Sequence, residues 1–314
     1  MAISYERLNR VRTMSLAASR RARPEKNGRK KRSKTRREQN VAGNCEDDDF
    51  VSPFQIDVRF NGGITDAQKE AFDVAAARWS QVIVSEFAPV ELPNGEVLDN
   101  LLIEASGEDI DGTGGILGSA GPQFLRPGSM LPVKGIMRFD SADLANMEAN
   151  GSLVDVIIHE MGHVLGIGTI WGIKELLVGC DAPMSANPVF LGEKAITEFA
   201  ALTEEGSDLP VPVANTGGSG TRCGHWRESI FGAELMTGFI NTGTNPLSRL
   251  TIASLEDLGY DVNYHAADPY SIPTQFEMMM MGVGSDCSSQ TCGMCNGSRK
   301  KIVPVILSED SLVH

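Results

Sequence analysis

His159 and His163 stand four residues apart, with Glu160 between them, in the stretch VDVIIHEMGHVLGIGTIW (154–171). On an α-helix, residues four apart share one face. Both imidazoles can therefore direct a nitrogen to one point about 2.0–2.1 Å from each, the distance that zinc prefers. Glu160 lies beside that face rather than on it, which suits a carboxylate that serves a water molecule and not the metal. The chemistry this permits is metal-assisted hydrolysis. Zinc lowers the pKa of water to about 7 and polarises a carbonyl, while the carboxylate takes the proton and hands it to the leaving amine. The competing explanation is a core helix whose histidines are merely hydrogen-bonded. The i, i+4 spacing with Glu160 alongside, set among Val154, Ile157, Ile158, Val164 and Leu165, outweighs it.

A catalytic zinc takes three protein ligands, so a further His, Asp or Glu is required. Thr169, three residues beyond Gly166, cannot serve. The remaining histidines are His225, His265 and His314. His314 is the last residue, and His265 lies in the turn-like DVNYHAADPY. His225 sits in TRCGHWRESIFGAELMTGF, two residues after Cys223 and directly before Trp226. Gly166 can take a left-handed conformation that ends the helix and turns the chain sharply, which favours His225 arriving after an insertion. Glu193 or Glu198, in GEKAITEFAAL, would instead supply a carboxylate ligand.

The elements that must position these groups follow from periodicity. FQIDVRF (54–60) alternates apolar and polar residues, the pattern of a half-buried strand. Thr65 and Gln68 form a capping-box pattern ahead of a helix that places Phe72, Ala75, Ala76, Trp79 and Ile83 on one face. NLLIEAS (100–106) and KGIMRFD (134–140) are further strand candidates. DGTGGILGSAGP between them reads as a loop leading into a short edge strand. The histidine helix spans about 152–165. A long irregular stretch rich in Gly, Pro and Ser follows as far as Gly224, then a helix in SRLTIASLEDLGYDV capped by Gly259.

Charge is unevenly distributed. Residues 1–40 carry 14 Lys/Arg and three Glu, so of a formal net charge of −13 they contribute +11 and the remainder −24. An acidic body does not suit nucleic acid, and any such role falls to the basic segment. That segment, polar and highly charged, reads as a disordered tail. Within it, RKKR (29–32) has the form of a basic-residue processing site. No run of about 18 apolar residues is present, so no membrane span is expected, and no apolar leader is visible near Met1. Cysteines stand at 45, 180, 223, 287, 292 and 295. The last three, in a Ser/Gly-rich tail, lack a nearby fourth metal ligand, and disorder or disulfides fit them better.

HEMGHVLGIG, a long insertion, CGHWRESIFGAELMTG and LTIASLEDLGYDV together resemble leishmanolysin, a metzincin whose third histidine is delayed by an insert. The resemblance covers roughly 54–264. It implies a zinc endopeptidase with His159, His163 and His225 as ligands of one Zn2+, Glu160 as general base and Met236 in the turn beneath the metal. It implies an α+β, metzincin-like two-lobed catalytic domain over 46–272. The upper lobe (about 50–168) would hold a twisted mixed sheet with the active-site helix, and the irregular, helical lower lobe (about 169–272) the Met-turn. A basic segment (1–45) and a Cys/Met-containing tail (273–314) would flank it. Protein or peptide substrates would add as a strand along the Gly-rich edge at Ile116, Leu117, Gly118, Ser119 and Ala120. Cys180 and Cys223 border the insertion, and a disulfide between them would hold His225 in place. The family implies a secreted or cell-surface location. A glutamate-liganded zinc peptidase and a non-catalytic zinc-stabilised adhesion or interaction module are the alternative readings.

Overall fold

The histidine helix is held against a mixed sheet by a second helix, and the local sequence dictates where each begins. The computed structural model describes residues 52–114, 117–181, 187–203, 209–218, 220–241, 243–281 and 302–313. The basic segment, Cys45, Ile116, Cys287, Cys292, Cys295 and His314 lie outside the described residues. β1 (Ile56–Phe60) leads into α1 (Asp66–Val82). At its start the Thr65 hydroxyl accepts the Gln68 N–H at 3.2 Å, and the Gln68 side chain accepts the Thr65 N–H at 3.0 Å. The capping box read from the sequence is thus formed. α1 buries Phe72, Ala75, Trp79 and Val82, and the Trp79 indole N–H donates to Ile158 O at 2.9 Å, tying α1 to the histidine helix.

A two-stranded hairpin, β2 (Val90–Glu91) and β3 (Val97–Leu98), precedes β4 (Leu101–Glu108), β5 (Gly118–Leu125) and β6 (Pro132–Asp140). α2 (Ser141–Asn150) and the histidine helix α3 (Leu153–Val164) follow. The insertion, expected to be irregular, contains β7 (Leu177–Val178), β8 (Val189–Phe190), α4 (Glu193–Thr203) and β9 (Val211–Pro212). The two-residue strands leave no periodicity to read, whereas α4, 11 residues long with Ala195 and Phe199 buried, does carry a helical spacing in GEKAITEFAAL. After them come α5 (Glu228–Phe231), α6 (Arg249–Leu258), α7 (Gln275–Met280) and β10 (Val305–Ile306). α7 and β10 fall in the stretch 273–314, where the sequence suggested only a tail.

The main sheet has the order β1-β4-β6-β5-β10. β1, β4 and β6 run parallel, β5 is antiparallel to β6, and β10 is parallel to β5. α1 and α3 share the main core, to which β4 contributes Leu101, Ile103 and Ala105 and α3 contributes Val156, Ile157, Met161 and Val164. Fully burying one such aliphatic or aromatic side chain stabilises by roughly 1.5–3 kcal/mol, so this interface fixes the helix that carries the histidines. Among the described residues no helix is long and apolar enough to cross a membrane.

Asp140 joins the sheet to the glycine-rich loop. One carboxylate oxygen caps α2 by accepting the Ala142 N–H at 2.8 Å, and the other accepts the N–H groups of Ile110, Asp111 and Gly112 at 2.8, 3.0 and 3.1 Å. Desolvation acts to raise its pKa, but the four donors together outweigh it and hold the carboxyl down at about 2. Asp140→Ala should lower the unfolding free energy by about 1–2 kcal/mol, the value of a helix cap, as read from urea midpoints. The folded pKa lies below the unfolded value of about 3.9, so this contribution is complete above pH 4. The gap between wild type and variant should narrow as pH falls through about 2.

Candidate metal centre

All of α3 from His159 to Val164 is buried. The helix ends where the sequence placed its stop. Gly166 takes φ +115°, its N–H donates to His163 O, and the Ile167 N–H reaches back to Gly162 O at 3.0 Å. This paired turn satisfies two of the last helical carbonyls. The chain then doubles back past Gly168, where a Cβ would stand 1.9 Å from the Gly224 carbonyl oxygen. Only glycine permits that approach, and it brings the turn after the helix against the loop that carries His225.

The three imidazoles meet at their Nε2 atoms: His159 to His163 3.0 Å, His163 to His225 3.0 Å, and His159 to His225 3.2 Å. Each Nδ1 faces a backbone carbonyl: Leu235 O at 2.7 Å for His159, Ile167 O at 2.9 Å for His163 and Thr221 O at 2.9 Å for His225. A carbonyl can only accept, so each Nδ1 carries the proton and each Nε2 of a neutral ring is left with a lone pair. Burial pushes His163 down to about 4. Burial first, then His163, takes His225 to about 3. His159 falls well below its ordinary value, by burial and then by both neighbouring rings. The rings are therefore neutral, and three lone pairs converge with no proton among them. A shared cation resolves that arrangement. Three nitrogens each about 2.0–2.1 Å from a tetrahedral ion would lie about 3.3 Å apart, close to the spacing seen.

His225 comes from a loop clamped on both sides. Ala214 N–H donates to His225 O at 2.9 Å and Cys223 N–H to Ala214 O at 3.0 Å. Val213 bridges Trp226, extending the β7-β8-β9 ribbon to the loop. The buried Arg227 guanidinium donates to Val213 O, Pro188 O and the Asn187 side chain. Trp226 fills an aromatic cluster with Trp171, Phe190 and Phe231, and its N–H donates to the Thr251 hydroxyl at 2.8 Å. Cys180 and Cys223 are disulfide-bonded, with Cys223 in a left-handed conformation at φ +68°.

Met236 packs against α3 at Gly162. A Cβ on Gly162 would stand 2.8 Å from its sulfur, so the glycine inside HEMGH makes room for the methionine. The Met236 carbonyl accepts the Trp226 N–H at 3.0 Å. The sequence reading gave no role to the residue that shapes this turn. Glu234, fully buried, accepts the Met236 N–H at 2.6 Å, the Ser248 hydroxyl at 2.6 Å, the Ser248 N–H at 3.2 Å and the Thr251 hydroxyl. Its burial 15 residues before α6 could not be read from spacing. Glu160 is also buried, and desolvation pushes its carboxyl up to about 8. Its Oε2 has no hydrogen-bond partner among the described residues.

Leu117 directly precedes β5, and Gly118, Ser119 and Ala120 open it beside β6. The glutamate alternative for the third ligand is not met. Glu198 makes a two-pronged pair with Arg249 at 2.7 and 3.0 Å, and Glu193 is exposed. Among the described residues the group that could hold a metal is His159, His163 and His225. Residues 123–292, just over half the chain, match the family model of leishmanolysin. The chain belongs to the leishmanolysin family. That family consists of zinc metallopeptidases. A leishmanolysin-like peptidase of Drosophila pseudoobscura pseudoobscura is 34% identical over 102 residues, 32% of this chain and 14% of the relative. A leishmanolysin homolog of Crithidia fasciculata is 28% identical over 144 residues, 44% of this chain and 21% of the relative. The matched region thus spans under a quarter of either relative's length.

Two outcomes follow for this centre. His225→Ala should lose stoichiometric zinc after dialysis, by metal analysis, whereas Glu198→Ala should keep it; the reverse result would return the third ligand to α4. Cys180 and Cys223 are 43 residues apart, and closing such a loop is worth about 4 kcal/mol in the chain-entropy account. The Cys180→Ala/Cys223→Ala protein should unfold at lower urea concentration and release zinc faster to a chelator. An unchanged release rate would show that the disulfide does not hold the His225 loop.

Proposed function

We propose that this chain is a zinc-dependent metalloendopeptidase with a metzincin-like, two-lobed catalytic domain. The lobes (about 50–168 and 169–272) would flank a cleft in which protein or peptide substrates lie extended. The observation that carries the reading is the set of three Nε2 lone pairs, fixed by three carbonyls, beside the buried carboxylate of Glu160. His159, His163 and His225 would hold one Zn2+. When bound, that ion supplies Lewis acidity to a peptide carbonyl and acidifies water.

Glu160 is the general base. Its carboxylate takes a proton from the attacking water, whose oxygen forms the new bond to the carbonyl carbon. The proton then passes to the amine nitrogen as the C–N bond breaks. Burial raises the Glu160 pKa, which makes the carboxylate a stronger base, and a divalent cation nearby favours its ionised form. The carbonyls on the Nδ1 atoms orient the imidazoles and raise their basicity as ligands. Met236 supports them from below through its contact with Gly162. Leu117, just before β5, and Gly118, Ser119 and Ala120 on it would pair with the substrate backbone. The Cys180–Cys223 disulfide supports work in an oxidising compartment.

The full chain, loaded with zinc, should cleave an unfolded protein, and a chelator should stop it. Glu160→Ala should retain zinc yet lose turnover by about 10²–10⁴-fold. Wild-type rates in that variant would remove Glu160 from the mechanism.

A further inference from the structure

β5 runs antiparallel to β6, and residues 302–307 run along its outer side. β10 pairs with it in parallel, Val305 opposite Phe124 and Ile306 opposite Leu125. The Leu307 N–H donates to Leu125 O at 3.0 Å. Buried Leu307 joins Val90, Leu92 and Val133 in a small second cluster, with Phe124 and Leu312 against it. Beyond it, the Val313 N–H donates to Pro89 O at 3.0 Å. The segment is therefore fastened at its far end.

Its near end reaches toward the metal centre. A Cβ on Gly121 would lie 3.5 Å from Ile302 Cδ1 and 3.8 Å from Thr169 Cγ2. The Thr169 hydroxyl in turn donates to His163 O at 2.7 Å. Ile302 thus sits where β5 meets the turn that leaves the histidine helix. Between the two ends the hold is light. Val303, Val305 and Ile306 remain 78%, 54% and 50% exposed, and Pro304 has no N–H to offer the edge.

An edge strand presents one row of donors and acceptors, which pairs with one partner at a time. A peptide laid on β5 from Gly118 onward meets Ile302 at Gly121 and finds Leu125 O already engaged. We propose that residues 302–307 are a built-in occupant of the substrate edge. They confine a bound peptide to the Gly118–Gly121 half of β5 and compete with longer peptides for the remainder. The proposal rests on the metallopeptidase reading above. It makes the C-terminal segment a determinant of substrate length.

The test uses the zinc-loaded full chain and two variants. Leu307→Pro removes the donor to Leu125 O, and Ile302→Gly clears Gly121 without touching the buried Leu307. Fluorescein-labelled peptides of four and ten alternating Thr and Val residues serve as probes. Their Kd is measured by anisotropy on the Glu160→Ala background, and their KM and kcat on the active background. The Kd and KM of the ten-residue peptide should fall about five- to tenfold in either variant, the scale of one backbone hydrogen bond with a partly exposed side chain. kcat and the four-residue constants should stay unchanged. A synthetic 302–313 peptide should displace the long probe from Leu307→Pro. Equal affinity for the long probe in wild type and in folded Ile302→Gly overturns the proposal, even if Leu307→Pro fails to fold. Absence of cleavage by every protein sinks the metallopeptidase reading, while the binding measurements still decide who occupies the edge.

Discussion

Three protonated Nδ1 atoms, each donating to a carbonyl, force three Nε2 lone pairs into one small space. Without a cation that convergence is repulsive, and the surrounding structure must hold it. The carbonyls come from three separate places: Leu235 in the Met236 turn, Ile167 in the turn after α3, and Thr221 in the loop of His225 itself. The position of each ring therefore depends on a different piece of backbone being correct. Much of the chain between α3 and α6 can be understood as the means of setting those pieces.

The means differ from piece to piece. Below α3, the buried charge of Glu234 is matched by four donors. Such a group rigidifies its surroundings because leaving any of them unpaired in a low-dielectric interior is costly. It couples the Met236 turn to the start of α6, so the Leu235 carbonyl is fixed from underneath. Beside α3, the Gly166–Gly168 turn is set by conformational permission alone, because no side chain tolerates the approach to Gly224. Around His225, the β7-β8-β9 ribbon, Arg227 and the disulfide immobilise a loop that has little apolar surface of its own.

The sheet contributes a support and an edge. α3 lies on β5 and β6 with its apolar residues buried in the main core, and β5 presents its outer side to β10. An uncovered edge invites pairing with other chains. Here residues 302–307 lie on part of it, and the open donors and acceptors that would serve a substrate peptide also serve this segment of the chain.

From the sequence one could read what depends on local spacing. The i, i+4 histidines, the Thr65–Gln68 cap, the alternation of β1 and the glycine stop after α3 are short-range patterns, and each has its counterpart in the structure. His225 could be favoured over His265 and His314 because a glycine turn and an aromatic neighbour are local signals. The short strands of the insertion could not be read, since strands of two residues gain their stability from partners distant in the chain. Nor could the four donors around Glu234, the packing of Met236 on Gly162, or β10 on the edge of β5. Apart from the Glu234–Met236 bond, those contacts join residues 14 or more positions apart. No pattern within a segment records which distant backbone it will meet, and only the folded chain brings the two together.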